Sequence, residues 1–286
     1  MNTCRSLIIC LLLALSYGGT LAADGQQPVK GQRIFYTGHS FHMFVPAMIE
    51  EMVKTMDLQG HKLAGKQGIG GSRVIQHWQL ADDKNMAKQA LMRGDVDVFT
   101  MAAHLQIPDE GITNFVQLGL EHNPSMRFLV QGSWYPFDLP APEPGKPDPR
   151  IKDNAQRDGM KIADLQAAVD GWRTQLEAQV AGLNQKHGKT CVFIVPVGDA
   201  VVKLRAMVVA GEFPGITKQS ALFRDPIGHG QGHVMALAAY CNFAAIYRIS
   251  PVGHNAPERS ISPEQHAILQ KIAWDTVSNY PPAGVK

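Results

Sequence analysis

The stretch that decides the fold is RIFYTGHSFHMFVPAM, residues 33–48. Arg33 to Thr37 is typical of a buried strand, and Gly38 predicts the turn that ends it. Pro46 then marks the beginning of a helix with apolar residues on one face. A strand followed at once by a helix is the repeating unit of a parallel sheet, so this stretch favours an α/β fold.

The same alternation continues along the chain. Apolar runs predict further strands at 96–101, 127–130 and 191–195, and helical patterns fall at 86–92, 112–120, 162–183, 200–209 and, as the final helix, 234–247. The strands are continuously apolar, which indicates a sheet covered by helices on both faces. We therefore predict a three-layer α/β/α fold, with a flavodoxin-like, doubly wound parallel sheet of about five strands.

Composition excludes several functional classes. The 286 residues carry a formal charge of only +2, which argues against a nucleic-acid binder. Four cysteines are too few for a disulfide scaffold, and 27 glycines and 18 prolines are ordinary for this length. The chain is long enough for one large domain, and we predict a soluble globular protein.

The first 22 residues have the pattern of a cleaved signal peptide. Arg5 is followed by an apolar run from Leu7 to Leu15 and by small residues near Ala22. The run is too short to cross a membrane, so we expect residues 23–286 to form a single exported domain, periplasmic or extracellular, without a membrane partner. Cleavage would remove Cys4 and Cys10. The remaining Cys191 and Cys241 lie in apolar segments and are either paired or two buried thiols.

One segment interrupts the alternation. Residues 136–158 contain five prolines after Pro136 together with many charged residues. Because helix and strand patterns resume after it, we interpret it as an inserted surface loop of the same domain rather than a linker.

Candidate chemistry follows the strands, because ligands of open parallel sheets bind beyond the carboxyl ends of the strands. Ser40 lies on the turn after the first strand, where a hydroxyl would be exposed beside free backbone amides. This position suits a nucleophile whose reaction develops an oxyanion, although serine is also a common helix N-cap. In the next loop, Gly68-Ile69-Gly70-Gly71-Ser72 would let a backbone N–H approach a ligand.

A third element, Asp225-Pro226-Ile227-Gly228-His229-Gly230-Gln231-Gly232-His233, precedes the last predicted helix. An aspartate close to a histidine can hold the imidazole in the tautomer that takes a proton from serine. Metal binding by His229 and His233, with His39 and His42 from another loop, is the competing interpretation. Glycines at 230 and 232 argue against a helix-borne histidine pair, so we predict no metal.

Together these three elements resemble the SGNH (GDSL-like) hydrolases, especially exported bacterial members, over nearly all of the predicted mature chain. The resemblance implies serine-esterase chemistry on a flavodoxin-like fold. It matches Ser40 to the nucleophile, His229 to the base and Asp225 to the carboxylate that orients it. It also implies an oxyanion hole built from the N–H groups of Ser40 and Gly71, with Gly70 as a one-residue alternative.

The chain departs from the family pattern in three places. Gly-His-Ser replaces the usual Gly-Asp-Ser or Gly-Asn-Ser at Ser40, and no asparagine follows the third strand to donate to the oxyanion. His104 or Gln106 is a candidate replacement. Three residues, rather than the usual two, separate Asp225 from His229, so His233 remains a second candidate for the base.

The function predicted from these residues is hydrolysis of a carboxylic ester, without a cofactor. His39, Trp78 and Trp134 are candidate substrate contacts, because aromatic rings at the mouth of the site would stack on a sugar, and an acylated carbohydrate would suit an exported esterase. Simple packing explains such aromatics equally well. The alternative function, favoured by the missing asparagine, is a catalytically impaired ligand-binding or glycan-binding protein on the same fold.

Overall fold

The computed structural model describes residues 29–104, 106–258 and 260–286. The predicted signal peptide, residues 1–22, lies outside these ranges. The strands are β1 (Arg33–Gly38), β2 (Lys62–Gly68), β3 (Val98–Ala102), β4 (Arg127–Gln131) and β5 (Val192–Val195). The helices are α1 (Val45–Thr55), α2 (Val74–Trp78), α3 (Met86–Met92), α4 (Glu110–His122), α5 (Ile162–Lys186), α6 (Val197–Ala210), α7 (Gly232–Tyr247) and α8 (Pro263–Ser278).

All five strands are parallel, in the order β2-β1-β3-β4-β5. The chain starts near the middle of the sheet, winds to one edge, and then returns across β1 to the other edge. This doubly wound order confirms the predicted fold class. Because the strands are parallel, the loops that follow β1, β2, β3 and β4 all lie at the carboxyl ends of the strands, on the same side of the sheet.

Two apolar cores cover the two faces of the sheet. One joins alternate strand residues, such as Ile34 and Leu129, to α1, α6, α7 and α8. The other joins the intervening residues, such as Phe35 and Phe128, to α2, α3, α4 and α5. Alternate side chains of a strand point to opposite faces, so a strand buried on both faces must be apolar throughout. This is why continuous apolar runs located β1, β3, β4 and β5 correctly.

Two elements lie outside the predicted set. The edge strand β2, with the sequence KLAGKQG, is largely exposed and has no apolar run to reveal it. Helix α8 follows α7, so the predicted last helix is not the last. Ser262 caps α8 through a capping box with Gln265, and Pro263 occupies its first turn, which is a signal that the sequence contains.

The two remaining cysteines lie on opposite faces of the sheet. Cys191 belongs to the core with α5, and Cys241 to the core with α7. Both are buried free thiols, which resolves the two alternatives in favour of unpaired cysteines. Burial raises the pKa of both thiols. No helix within the described ranges is long and apolar enough to cross a membrane.

The start of α2 is clamped to the start of α4 through a buried aspartate. The Asp109 carboxylate accepts hydrogen bonds from the backbone N–H groups of Val74, Ile75 and Gly111, at 2.9, 2.9 and 2.8 Å. The two helix ends therefore approach very closely. A β-carbon built at Gly111 would lie 2.3 Å from the backbone nitrogen of Ile75. Because α2 directly follows the glycine loop, this junction also fixes where that loop leaves the sheet.

This close approach predicts opposite effects of one substitution at two helical glycines. Gly111→Ala would force α2 and α4 apart, and we expect it to lower the free energy of unfolding by about 1–3 kcal/mol. Gly182 lies on the exposed face of α5 with nothing near an added methyl group, so Gly182→Ala should raise that free energy by about 0.5–1 kcal/mol through helix propensity. Urea denaturation followed by circular dichroism measures both. Equal effects of the two changes would contradict the clamp.

Candidate active site

Ser40 lies in the turn between β1 and α1, with its side chain exposed. The turn is closed by hydrogen bonds from the N–H groups of His42 and Met43 to the His39 carbonyl, at 3.0 and 3.1 Å. Helix α1 begins after Phe44 and has no side-chain cap. The Ser40 hydroxyl is therefore free of the N-cap role that the sequence left open, and it lies 3.0 Å from Nε2 of His229.

His229 is held between Ser40 and Asp225. Its Nδ1 lies 2.7 Å from Oδ2 of Asp225, so Nδ1–H donates to the carboxylate and Nε2 is left to accept from the Ser40 hydroxyl. Burial would raise the pKa of Asp225, but hydrogen bonds from the His229 ring and from the N–H groups of His229 and Gly228 outweigh it and lower this pKa. A carboxylate that stays ionised keeps the ring in this tautomer.

The extra residue between Asp225 and His229 is absorbed by the loop itself. Gly228 has a φ of +103°, a conformation open to glycine but strained for other residues. This turn lets the Gly228 and His229 N–H groups both donate to Oδ1 of Asp225, at 2.9 and 3.2 Å. The rival base, His233, is buried at the start of α7, with its ring edge-on to Phe213. The fold thus brings His229, and not His233, to Ser40.

A buried arginine holds the Asp225–His229 loop from behind. Arg157 is fully buried and donates to the backbone carbonyls of Asp225 and Pro226, at 3.0 and 2.9 Å. Its charge is paired with the buried carboxylate of Asp138, which also binds Arg205. Burial lowers the pKa of Arg157 to about 10, so the guanidinium remains charged at neutral pH.

The predicted surface insertion, residues 136–158, is therefore exposed over only part of its length. Residues 143–149 are exposed, as expected for a proline-rich loop. Asp138, Ile151 and Arg157, in contrast, are buried. The charge content of the segment indicated a solvated loop. Asp138 and Arg157 can nevertheless be buried, because they pair with each other and Arg157 also donates to two loop carbonyls.

Aromatic packing completes the support of the histidine loop. Trp134 is 4% exposed, and its Nε1–H donates to the Gly228 carbonyl at 2.8 Å. Its ring stacks on Phe41 with 4.6 Å between centroids, and Phe41 in turn meets the His229 ring edge-on. Trp134 is thus placed under the site, and the expected stacking on substrate is not available to it.

A buried polar network fixes the Ser40 turn to the sheet. The His42 ring bonds Gln131 through Nδ1 at 2.8 Å and Thr100 through Nε2 at 2.9 Å. Gln131 also donates to the Phe41 carbonyl at 2.9 Å. Burial lowers the pKa of His42 to about 4, so the ring is neutral at physiological pH. This network was not anticipated, although polar residues within apolar strands, such as Thr100, were a signal for it.

His39, next to Ser40, is also buried and neutral. Burial lowers its pKa to about 3. Its Nδ1 accepts from the Phe41 N–H at 3.2 Å, while Nε2 lies 3.4 Å from the Ala103 carbonyl. The ring therefore braces the turn, and it also lines the pocket beside Ser40.

The glycine loop reaches the same pocket. Gly71 lines it together with Ser40, whereas Gly70 does not. The loop is anchored by Ser72, whose hydroxyl donates to the Ile69 carbonyl at 2.9 Å and lies 2.8 Å from Nε2 of buried His77. Within the described ranges, the N–H groups of Ser40 and Gly71 have no protein acceptor. Both are thus available to a ligand.

His104 is the candidate that faces the site after β3. It lines the pocket with Ser40 and Gly71, and burial lowers its pKa, which favours a neutral ring with one N–H to donate. Gln106, the other candidate for the missing asparagine, is exposed and does not line the pocket.

The pocket beside Ser40 has a volume of about 290 Å³. Its described lining residues are mostly apolar and come from the Ser40 turn, the glycine loop, the segments after β3 and β4, and the histidine loop. They are His39, Ser40, Phe41, Gly71, His104, Pro136, Phe137, Leu139, Ala141, Arg150 and Ile227.

Trp78, the third predicted substrate contact, lies elsewhere. It packs edge-on against Phe115, with Lys88 over its ring, and belongs to a separate surface depression along α4. The expectation for Trp78 is therefore wrong, because the clamp at Asp109 directs α2 onto α4 and away from Ser40. In the described ranges, no group of three or more His, Cys, Asp or Glu side chains is arranged to hold a metal ion.

Comparisons with known proteins agree on the fold. No family profile and no curated protein matches the chain. A solved structure of a DUF4886 family protein from Bacteroides uniformis matches with a TM-score of 0.60 and 14% identity, over 88% of this chain and 96% of that one.

Other similar structures include a candidate SGNH hydrolase from Slackia heliotrinireducens, with a TM-score of 0.44 and 14% identity over 74% of this chain and 97% of that one. Phospholipase A1 from Streptomyces albidoflavus has a TM-score of 0.36 and 10% identity, over 76% and 99%. The match to the DUF4886 family structure shows that the two chains share this α/β fold. At these identities the likeness concerns the fold, and the chemistry must be argued from the site.

The buried ion pair behind the site predicts a large effect of Asp138. Asp138→Ala would leave Arg157 and Arg205 buried without their carboxylate, and we expect the free energy of unfolding to fall by about 3–5 kcal/mol. Asp148→Ala is the matched control, because it breaks an exposed aspartate–arginine pair in the same segment and should change stability little. Urea denaturation compares the two. Similar losses would show that the buried network does not support the segment.

Proposed function

We propose that the chain is an exported serine esterase that cleaves carboxylic esters through Ser40, His229 and Asp225. The observation that carries the proposal is the continuous hydrogen-bonded path from the Asp225 carboxylate through the His229 ring to an exposed serine hydroxyl at the mouth of a pocket. Both distances lie within the range needed for proton transfer. Export is inferred from the signal-peptide pattern of residues 1–22.

In the proposed reaction, Nε2 of His229 takes the Ser40 proton as Oγ attacks the ester carbonyl. Asp225 stabilises the imidazolium that forms. The tetrahedral oxyanion is bound by the N–H groups of Ser40 and Gly71, with His104 as a third donor. The carbon–oxygen bond to the alcohol then breaks, and His229 returns the proton to the leaving oxygen. Water repeats the sequence on the acyl-enzyme and releases the acid.

The proposed substrate is a carboxylic ester of a small molecule or a glycan, and we propose no cofactor and no nucleic-acid partner. The alternative, a catalytically impaired binding protein, has its support in the absent asparagine. His104 weakens that argument. It also follows β3, as the family's asparagine does, and its neutral imidazole lines the pocket and has an N–H to donate.

The proposed nucleophile and base can be tested by substitution. Ser40→Ala and His229→Gln should each lower kcat for p-nitrophenyl acetate by about 10⁴-fold or more, because either change interrupts the proton path. His233→Gln is the matched control and should retain activity within a few-fold. A fluorophosphonate probe should label the wild type and not Ser40→Ala. A wild-type serine that resists the probe would favour the binding protein.

The proposed role of His104 as a donor to the oxyanion can be tested in the same way. His104→Ala should lower kcat about 100-fold with a smaller change in KM, since a donor to the oxyanion acts mainly in the transition state. Gln106→Ala, two residues along and exposed, should leave kcat nearly unchanged. Steady-state kinetics on the same ester distinguishes the two. A full effect at Gln106 instead would reassign the third donor.

A further inference from the structure

The pocket beside Ser40 is walled largely by one segment. Phe137, Leu139, Ala141 and Arg150 all belong to the insertion that also contains Arg157, the residue that holds the histidine loop. Ile227 of that loop also lines the pocket, and its carbonyl accepts from the Phe137 N–H at 3.0 Å. The insertion thus gives the pocket its shape, while the sheet edge supplies the reacting groups.

Most of the side chains that line the pocket are apolar. Of its described lining residues outside the histidines, only Arg150 is charged. Its guanidinium binds both carboxylate oxygens of Asp148, at 2.7–3.1 Å, and lies over the Phe137 ring. The Asp148 carboxylate thus offsets the charge of this guanidinium in a bidentate pair. The lining therefore favours an apolar group over a carboxylate, a phosphate or a sugar.

The position of His229 decides which part of an ester enters the pocket. The leaving alcohol must receive its proton from Nε2 of His229, so it lies on the histidine side of Ser40. His229 is not among the pocket-lining residues, whereas Gly71, a proposed oxyanion donor, is. An ester bound with its carbonyl oxygen toward Gly71 would place its acyl chain in the pocket and its alcohol toward solvent.

We propose that this pocket binds the acyl chain of the substrate, an unbranched apolar chain longer than acetyl, and that the insertion sets its length. The inference rests on the proposed esterase function and specifies its substrate class. A volume of about 290 Å³ lies at the lower end of the ~300–1,000 Å³ typical of ligand pockets. This size suits a medium chain and not a full-length fatty acyl group.

The test is a chain-length series of p-nitrophenyl esters: acetate, butyrate, octanoate and palmitate. Each methylene buried in the transition state is worth up to about fourfold in kcat/KM. We expect octanoate to exceed acetate at least tenfold, and palmitate to fall below octanoate. Ala141→Trp would fill the pocket and should lower the octanoate-to-acetate ratio at least fivefold. Leu139→Ala would enlarge it and should move the optimum toward longer chains.

Ala155→Trp is the matched control, because Ala155 is an exposed alanine of the same insertion that does not line the pocket. It should leave the ratio within twofold of wild type, and thermal unfolding checks that all variants fold. Hydrolysis with acetate preferred, or equal effects of the two tryptophans, would overturn the acyl pocket and leave the esterase intact. No hydrolysis of any ester together with no fluorophosphonate labelling would overturn the esterase and the acyl pocket with it.

Discussion

The geometry of the candidate site depends on one buried guanidinium. Arg157 donates to the carbonyls of Asp225 and Pro226, and those two bonds hold the loop that carries His229. Burying an arginine is unfavourable unless its charge is paired and its N–H groups are bonded. Asp138 supplies the opposite charge, and the Phe223 ring lies 4.3 Å from the guanidinium carbon. The loop is therefore held by a buried group whose charge is paired with Asp138 and whose Nε–H donates to Asn154 at 2.9 Å.

The sheet imposes the second constraint. In a parallel sheet the loops after successive strands emerge at the same end of the strands, so Ser40, Gly71 and His104 meet although 63 residues of chain lie between the first and the last. Their position at the carboxyl ends of the strands does not by itself orient these three residues. The Ser40 turn is fixed by His42 and Gln131, and the glycine loop by Ser72 and His77. Neutral buried histidines suit this task because one nitrogen donates while the other accepts.

The sequence was informative where burial leaves a periodic pattern. Continuous apolar runs located β1, β3, β4 and the buried edge strand β5, but β2 was missed because most of its residues are exposed or half-buried and it has no such run. The Ser40–His229 contact was predicted through loop position and family resemblance. The places of Trp78 and Trp134 were not, because an aromatic residue near a strand end packs equally well under a site or beside it. Nor could the charges of Asp138 and Arg157 be recognised as buried, since their partners are distant in sequence or are backbone carbonyls.

Different residues of the insertion support the histidine loop and line the pocket. Its buried residues Asp138 and Arg157 support the histidine loop, since Arg157 pairs with Asp138 and donates to two carbonyls of that loop. Its middle, residues 143–149, is exposed and contributes little to the core. Leu139 and Ala141, between these regions, line the pocket without taking part in the ion pairs. Pocket shape can therefore change at these positions while the support of the histidine loop is kept. In the proposed esterase, the choice of acyl chain would then be separable from the path of the proton.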